Sequence, residues 1–366
     1  MRAWRIHADF SRQLTEVPDQ PPPPGGVTIR MHAAPVLSYL KQVLEGGLGY
    51  SLPPTPFTPG TNGIGVIEAV GCDVYHLAAG QRVLLDPHLV VNERVPEPAQ
   101  ILIGLTATRS SGFGGIADAA TALQRDWPDG TFTERAYMPA SVVTPLPQAL
   151  ATTPAERLIG VSKFVVPYGG FLRGGLQPGE TVLINGASGY FGSAAAVLAV
   201  ALGASRVVAL GRDRAALAAV AAAAGRRVAI VVATGDRAAD TQALITAAGG
   251  RADLALDIVG RASSAAATSA CLYALRRGGR LVMMGSASVP LELSFYDMLA
   301  NDWHVMGCFM YPPDAPARLA ALVASGQLDL GPLNVRAFPL DRLEDALTAA
   351  AAMRGLDLTA LSMQSA

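Results

Sequence analysis

The feature that most constrains this chain is a glycine-rich segment, residues 185–192 (NGASGYFG), which follows the apolar run TVLI and precedes the alanine-rich run SAAAVLAVALG. This order predicts a strand, a tight turn and a helix. Gly186 permits the turn, Gly189 lets backbone approach a pyrophosphate, and Gly192 lets the helix lie close to the sheet. Free N–H groups of the first helical turn then point at phosphate. The segment predicts a dinucleotide-binding site, with a purely structural glycine-rich turn as the alternative.

Strand-like and helix-like runs alternate around this segment. The later apolar runs are RVVALG (206–211), VAIVVA (228–233), LALDIVG (254–260), RLVMMGS (280–286) and HVMGCF (304–309). Continuous apolar strands separated by helical patterns indicate a parallel sheet covered on both faces, and right-handed crossovers make it doubly wound. We therefore predict an α/β nucleotide-binding domain over residues 151–311.

The remainder of the chain shows a different pattern of predicted strands and helices. Residues 1–150 contain short β segments divided by Pro and Gly: VTIRMHAA (27–34), GIGVIEAVG (63–71), QRVLL (81–85) and TERAYMPA (133–140). Short strands with turn punctuation predict a barrel-like β domain. Residues 312–366 contain a helix, a strand and a last helix, and we expect this tail to return to the first domain.

Composition narrows the range of partners. The chain is 51% hydrophobic and 16% charged with a net charge of −1, so it lacks the positive field that nucleic acid requires. Its three cysteines, Cys72, Cys271 and Cys308, are too widely spaced for a disulfide framework. The first residues, MRAWRIHADF, lack the apolar stretch that a signal peptide would need, and the longest apolar run, 194–204, is about half the length of a membrane span. We expect a cytoplasmic protein with a small-molecule substrate and no membrane partner.

The tip of the second strand of a dinucleotide-binding domain selects the cofactor. Here Gly211 is followed by Arg212, whose guanidinium could bind a ribose 2′-phosphate, and by Arg214 two residues later. This predicts NADPH, while Asp213 would favour NADH if it faced the ribose; both arginines could instead be solvated residues at a helix start. The predicted cofactor contacts lie in the glycine-rich segment and at the carboxyl ends of strands: Gly186, Ser188, Gly189, Tyr190, Phe191, Gly192, Gly211, Arg212, Arg214, Ile258, Val259, Gly285, Ser286, Cys308 and Phe309.

Segments along the whole chain resemble the medium-chain dehydrogenase/reductase superfamily, in its zinc-independent, quinone-oxidoreductase-like branch. They include PGTNGIGVIEAVGCDV, LAAGQRVLL, GLQPGETVLINGASGYFG, RRGGRLVMMG and PLDRLEDAL. The resemblance implies a GroES-like β-barrel catalytic domain, completed by residues 312–366, together with a Rossmann NADP-binding domain.

Metal-dependent members of that superfamily carry a cysteine after the second strand and a His-Glu pair in a Gly-His-Glu segment. The corresponding residues here are Leu37, Thr61 and Asn62, none of them a strong zinc ligand. Residues 86–130, where many members hold four cysteines, contain none, and no two of the five histidines have ligand spacing. We predict that the protein binds no metal.

Without a Lewis acid, hydride transfer is easier to a conjugated acceptor whose charge spreads to a distant oxygen. The main prediction is therefore an NADPH-dependent reductase of quinones or α,β-unsaturated ketones and aldehydes. One alternative is a zinc-free ketone reductase or alcohol dehydrogenase. Another is a non-catalytic protein that senses NADPH or serves as a scaffold.

Three side chains are candidate donors. Tyr39 lies two residues after the missing cysteine, which resembles the position of the proton-relay hydroxyl in zinc members; the alternative is a tyrosine packed on the barrel. Tyr50 is near the position of an acid tyrosine in related enoyl reductases. Lys163 is one of two lysines against 26 arginines and could be a point-charge donor, or an ordinary solvated helix lysine.

Two further expectations concern surfaces. Residues 92–130, with the glycine-rich stretch 110–115, could form a wall or lid over the substrate, or an elaborated surface loop. The last strand of the nucleotide domain, within DWHVMGCF (302–309), would leave an apolar edge unpaired. We therefore predict a homodimer formed through that edge.

Overall fold

The computed structural model describes residues 1–91, 94–95, 97–107 and 118–363. The strands in chain order are β1 (Arg2–Ile6), β2 (Arg12–Glu16), β3 (Gly26–Val36), β4 (Gly63–Val70), β5 (Arg82–Leu85), β6 (His88–Val91), β7 (Ala99–Leu102), β8 (Thr106–Ala107), β9 (Arg135–Pro139), β10 (Val143–Pro145), β11 (Thr181–Asn185), β12 (Arg206–Gly211), β13 (Val228–Val232), β14 (Ala252–Asp257), β15 (Leu275–Met283), β16 (His304–Gly307), β17 (Asn334–Pro339) and β18 (Asp357–Ser362). The α-helices are α1 (Leu40–Leu44), α2 (Asp118–Asp126), α3 (Ala155–Leu158), α4 (Val161–Gly174), α5 (Tyr190–Ala201), α6 (Arg214–Ala224), α7 (Arg237–Ala248), α8 (Ala266–Tyr273), α9 (Phe295–Asn301), α10 (Ala315–Ala324) and α11 (Leu343–Ala351).

The nucleotide-binding half is a six-stranded parallel sheet in the order β13-β12-β11-β14-β15-β16. Successive residues of β11 point to opposite faces, so Val182 and Ile184 pack in one core and Leu183 in another. Helices α4 and α5 cover the first face, while α7 and α8 cover the second. Burial on both faces explains why these strands are apolar throughout rather than alternating.

The other half is built on a second sheet with the order β10-β5-β4-β3-β18-β17, in which β9 also pairs with β3. Most pairs are antiparallel, and β17 and β18 are parallel to each other. The end of the chain enters this sheet because Leu361 of β18 pairs with Ala34 of β3. Residues near both ends of the sequence therefore share one core.

The architecture confirms the predicted α/β fold, a β-barrel-like domain joined to a doubly wound parallel sheet. The structure adds a three-stranded sheet, β6-β7-β8, with α2 packed on β7 and β8, within the region whose shape the sequence left open. Among the described residues, no helix has both the length and the apolar character needed to cross a membrane.

Candidate active site

A cavity of about 1850 Å³ lies between the two halves of the molecule. Ligand sites for drug-sized molecules typically span about 300–1,000 Å³, so this cavity has room for a dinucleotide and a second small molecule. Its lining includes all but one of the predicted cofactor contacts: Gly186, Ser188, Gly189, Tyr190, Phe191, Gly192, Gly211, Arg212, Ile258, Val259, Gly285, Ser286, Cys308 and Phe309.

The glycine-rich segment forms the strand–turn–helix that its sequence predicts. Strand β11 ends at Asn185, Gly186 has a φ of +88°, and α5 begins at Tyr190. A side chain at Gly192 would place its Cβ 2.1 Å from the carbonyl oxygen of Gly186, so only glycine lets the helix approach the turn so closely. The N-terminus of α5 therefore opens into the cavity, where its N–H groups can receive an anionic group.

The tip of β12 presents an arginine to the cavity. Gly211 and Arg212 line it, whereas the Asp213 carboxylate accepts a hydrogen bond from the N–H of Ala216 at 3.1 Å and caps α6. Arg214, the first residue of α6, is exposed and does not line the cavity. The structure therefore does not place Arg214 in the cavity wall beside Arg212, because the start of α6 carries its side chain to solvent.

Asp257, at the end of β14, holds the loops that follow β11 and β14 in place. Its buried carboxylate accepts hydrogen bonds from Asn185 Nδ2 at 2.7 Å, from the Thr268 hydroxyl at 2.5 Å and from the Val259 N–H at 3.2 Å. The turn after β15 packs tightly against the loop after β14, since a Cβ at Gly285 would lie only 2.2 Å from the Val259 carbonyl oxygen. No role was predicted for Asp257 from the sequence, although its place within LDIVG was a signal.

The structure brings Tyr39 and Tyr50 together in the cavity wall. Their rings are 6.3 Å apart between centroids and nearly parallel, with an interplanar angle of 17°. Burial raises the pKa of both phenols above the ordinary value, and for Tyr39 the neighbouring phenol of Tyr50 raises it further. Both hydroxyls therefore keep their protons at neutral pH and can donate hydrogen bonds.

Lys163 does not reach the cavity. Its ammonium is fully buried and donates to the backbone carbonyls of Gly355 at 2.7 Å and Asp357 at 2.8 Å, with its charge 4.3 Å from the centroid of the Tyr190 ring. Burial lowers its pKa to about 7, and the charge of Asp357 acts in the opposite direction. The structure therefore does not place Lys163 in the cleft, where it was predicted to act as a donor. The returning C-terminal segment covers α4 at this point, and its carbonyls accept the hydrogen bonds of the ammonium.

Four side chains that the sequence analysis did not propose as donors lie in or beside the same cavity. Thr61, Asn62 and Tyr311 line it, and Asp86 lies directly behind Tyr311. The Thr61 hydroxyl is buried and has no hydrogen-bond partner in the structure, and such an unsatisfied polar group is rare in a folded protein. Only tertiary proximity reveals Asp86 and Tyr311, which are 225 residues apart in the chain.

The side chains at the expected metal position do not fit zinc. Zinc is held by Cys, His, Asp and Glu, whereas Leu37, Thr61 and Asn62 form this part of the lining. Within residues 1–91, 94–95, 97–107 and 118–363, no three such ligand side chains are grouped closely enough to hold a metal ion. This part of the lining therefore offers the hydroxyl of Thr61 and the amide of Asn62 rather than metal ligands.

Described parts of the 92–130 region form a wall of the cavity. Pro98, Gln100 and Leu102 line it beside β7, and Ala119 and Ala120 line it from α2. This agrees with a wall over the substrate rather than a detached surface loop. The predicted flexible stretch, residues 110–115, lies outside the described residues.

Two family models match the chain: "Alcohol dehydrogenase GroES-like domain" over residues 23–148 and "Zinc-binding dehydrogenase" over residues 191–325. Together with the barrel-like domain, the doubly wound sheet and the dinucleotide turn, they define the class. The chain belongs to the medium-chain dehydrogenase/reductase superfamily of oxidoreductases.

Individual relatives are distant. A putative D-xylulose reductase of Agrobacterium fabrum is 27% identical over 324 residues, which are 87% of this chain and 85% of that protein. The solved alcohol dehydrogenase TADH from Thermus sp. ATN1 has a TM-score of 0.78 at 23% identity, with 99% of each chain covered. A putative zinc-binding dehydrogenase from Sinorhizobium meliloti, solved with NADP, has a TM-score of 0.77 at 21% identity and covers 99% of this chain and 98% of its own. Assignment to the quinone-oxidoreductase branch stays a prediction.

Proposed function

We propose that the protein interconverts a small ketone and its secondary alcohol with NADP(H), using hydroxyl groups where its metal-dependent relatives use zinc. One observation carries this proposal: Tyr39, Thr61 and Tyr311 line the cavity at and around the expected metal position, and the Thr61 hydroxyl has no partner. The names of the relatives, a sugar reductase and an alcohol dehydrogenase, favour this reaction over reduction of a quinone.

The tip of β12 supports NADPH rather than NADH. Arg212 can make two charge-assisted hydrogen bonds to a 2′-phosphate. The carboxylate of Asp213, which could favour the ribose of NADH, caps α6 instead. A guanidinium without a competing acid at this position attracts a phosphate and gives a free 2′-hydroxyl no acceptor.

Residues of the glycine-rich turn and Arg212 would hold a reduced nicotinamide dinucleotide, which would supply the hydride, and the chain would supply the site for the substrate oxygen. The Tyr39 phenol and the Thr61 hydroxyl can donate hydrogen bonds to the substrate oxygen, which stabilises the negative charge that develops there. Apolar wall residues such as Leu37 and Leu48 limit access of water, and low local polarity strengthens those hydrogen bonds.

The decisive assay follows oxidation of NADPH and of NADH in the presence of simple ketones, quinones and enones, after dialysis against a chelator and measurement of residual metal. We expect turnover of ketones with NADPH by the metal-free protein. Turnover restricted to quinones and enones would overturn ketone reduction in favour of conjugated acceptors. Activity lost with the metal and restored by zinc would overturn the proposed mechanism, and NADPH binding without any turnover would support a sensor or scaffold.

A further inference from the structure

A buried acid and phenol form a hydrogen-bonded pair at the back of the cavity. The Tyr311 hydroxyl donates to Asp86 Oδ1 at 2.6 Å, and the backbone N–H of His88 donates to the same oxygen at 3.0 Å. Both side chains of the pair are only 5% exposed. Tyr311 lines the cavity and Asp86 does not, so the phenol lies between the carboxylate and any bound molecule.

The backbone before Tyr311 holds the phenol in this place. Met310 has a φ of +55°, a conformation that residues other than glycine seldom adopt and that often occurs at functional sites. Its carbonyl packs against Gly169 of α4, where a Cβ would lie only 2.1 Å from the oxygen. This turn, directly after β16, returns the chain toward the β domain and places Tyr311 against the end of β5.

The need to hold the Tyr311 phenol in position does not by itself explain why its partner is a buried carboxylate. A tyrosine that merely packed in the wall would need one acceptor, and backbone carbonyls serve that purpose at lower cost than a buried carboxylate. A carboxylate behind a phenol is instead an arrangement that can exchange a proton through the phenol oxygen. Among the described residues, no carboxylate forms a hydrogen bond with Tyr39 or Tyr50, so Tyr311 differs from them in having a proton source.

We propose that Tyr311 delivers the proton to the substrate oxygen and that Asp86, acting through Tyr311, supplies that proton and takes it back in the reverse reaction. This inference rests on the proposed ketone–alcohol interconversion. It assigns Tyr39 and Thr61 to holding the oxygen, and it assigns proton transfer to Tyr311.

The step balances in both directions. In reduction, the carbonyl carbon gains a hydrogen with its electron pair from the reduced dinucleotide, and the oxygen takes the proton of Tyr311 as that O–H bond breaks. The phenol oxygen then regains a proton from the Asp86 carboxyl group, which solvent reprotonates. In oxidation, the alcohol proton passes to Tyr311 while the Tyr311 proton passes to the Asp86 carboxylate.

The relay predicts that kcat depends on pH through the titration of Asp86. Burial raises the pKa of Asp86 to about 6, while the hydrogen bonds from Tyr311 and from the His88 N–H act in the opposite direction. The acid form predominates below this value, so the kcat of ketone reduction should rise as the pH falls through about 6, and the kcat of alcohol oxidation should rise as the pH increases through it. The other titratable groups facing the pair are the His88 imidazole, whose ring centroid is 5.6 Å from that of Tyr311, and the phenol of Tyr39.

The test compares Tyr311→Phe and Asp86→Asn with the wild-type protein in kcat, KM, NADPH affinity and pH profile. We expect Tyr311→Phe to lower kcat by about 100-fold, since general acid catalysis contributes about 10²- to 10⁴-fold. We expect Asp86→Asn to lower kcat by about 10-fold or more and to abolish the midpoint near pH 6. KM and NADPH affinity should change little in either variant, and the double variant should be no slower than Tyr311→Phe because the two groups act in series.

Matched controls separate catalysis from packing. Tyr168→Phe removes another buried phenol and Asp240→Asn another buried carboxylate, both outside the cavity, and neither should alter the midpoint. His88→Gln removes the neighbouring imidazole and should leave the midpoint in place. A midpoint that disappears in His88→Gln but persists in Asp86→Asn would overturn the proposal.

The remaining outcomes are also decisive. Wild-type kcat and an unchanged profile in both Tyr311→Phe and Asp86→Asn would overturn the relay and leave ketone reduction standing. A wild-type protein that reduces no ketone at any pH would overturn the proposed function, and the relay with it. If Asp86→Asn does not fold, Tyr311→Phe decides alone: loss of the midpoint supports the relay, and its persistence overturns it.

Discussion

The ammonium of Lys163 donates a 2.8 Å hydrogen bond to the backbone carbonyl of Asp357, and this contact joins the first long helix of the nucleotide-binding half to the last strand of the chain. The same ammonium donates to the carbonyl of Gly355. A charged group buried to this degree is costly unless its hydrogen bonds are satisfied. Lys163 is therefore a fixed link between α4 and the returning C-terminal segment.

The first prediction concerns that link. Lys163→Met fills a similar volume but removes one hydrogen bond to the Asp357 carbonyl and one to the Gly355 carbonyl, which the Ser193 hydroxyl also contacts. We expect the free energy of unfolding to fall by about 1–3 kcal/mol. Urea denaturation followed by circular dichroism measures it. Lys41→Met, at the other lysine, should change the value by less than about 0.5 kcal/mol. Equal stability of the two variants would show that the link contributes nothing.

The second prediction is a pH dependence of stability. The native pKa of Lys163 is about 7, below its ordinary value of 10.5, so the unfolded chain binds more protons than the native chain between these values. This group therefore makes stability increase with pH across that window, by at most about 1.4 kcal/mol per pH unit. Below the native pKa, both states are protonated and the cost of burying the charge is fully present. Unfolding measured from about pH 7 to pH 9 should give a steeper rise for the wild type than for Lys163→Met; parallel curves would contradict this account.

The third prediction concerns the choice of cofactor. Arg212→Ala removes the guanidinium proposed for the 2′-phosphate, and we expect the KM for NADPH to rise about 10- to 100-fold while the KM for NADH changes little. Steady-state kinetics with both cofactors measure the difference. Arg214→Ala is the matched control, because this exposed arginine does not line the cavity. An equal loss with NADPH and NADH would show that Arg212 does not recognise the phosphate.

The fourth prediction is the homodimer expected from the sequence. Strand β16 lies at the edge of the six-stranded sheet, and the nearby helix α9 exposes Phe295, Tyr296 and Leu299 by 88%, 74% and 66%. A contiguous exposed apolar patch beside an open strand edge favours pairing with a second copy. Light scattering should give twice the chain mass for the wild type and the chain mass for a Phe295→Glu, Leu299→Glu double variant. Tyr75→Glu, at an equally exposed aromatic side chain in the other half, should remain dimeric; a monomeric wild type would contradict the prediction.

The sequence by itself determined the fold and the local shape of the glycine-rich turn. Apolar runs with helical spacers specify a covered parallel sheet, and the glycines at 186 and 192 meet steric demands that arise within seven residues of chain. Such signals are local, because the residues that make each turn or strand are neighbours in sequence. Accordingly, every predicted contact in the glycine-rich segment lines the cavity.

Only the tertiary structure decided the roles of the polar side chains. Lys163 stands out in composition, yet its partners lie 192 and 194 residues away and withdraw it from the cavity. Asp86 and Tyr311 belong to no recognisable motif and are 225 residues apart in the chain. They meet because the segment after β16 packs against the β domain. A hydrogen bond requires two groups within about 3 Å, and that distance between remote residues is set by packing of the two halves rather than by any local pattern.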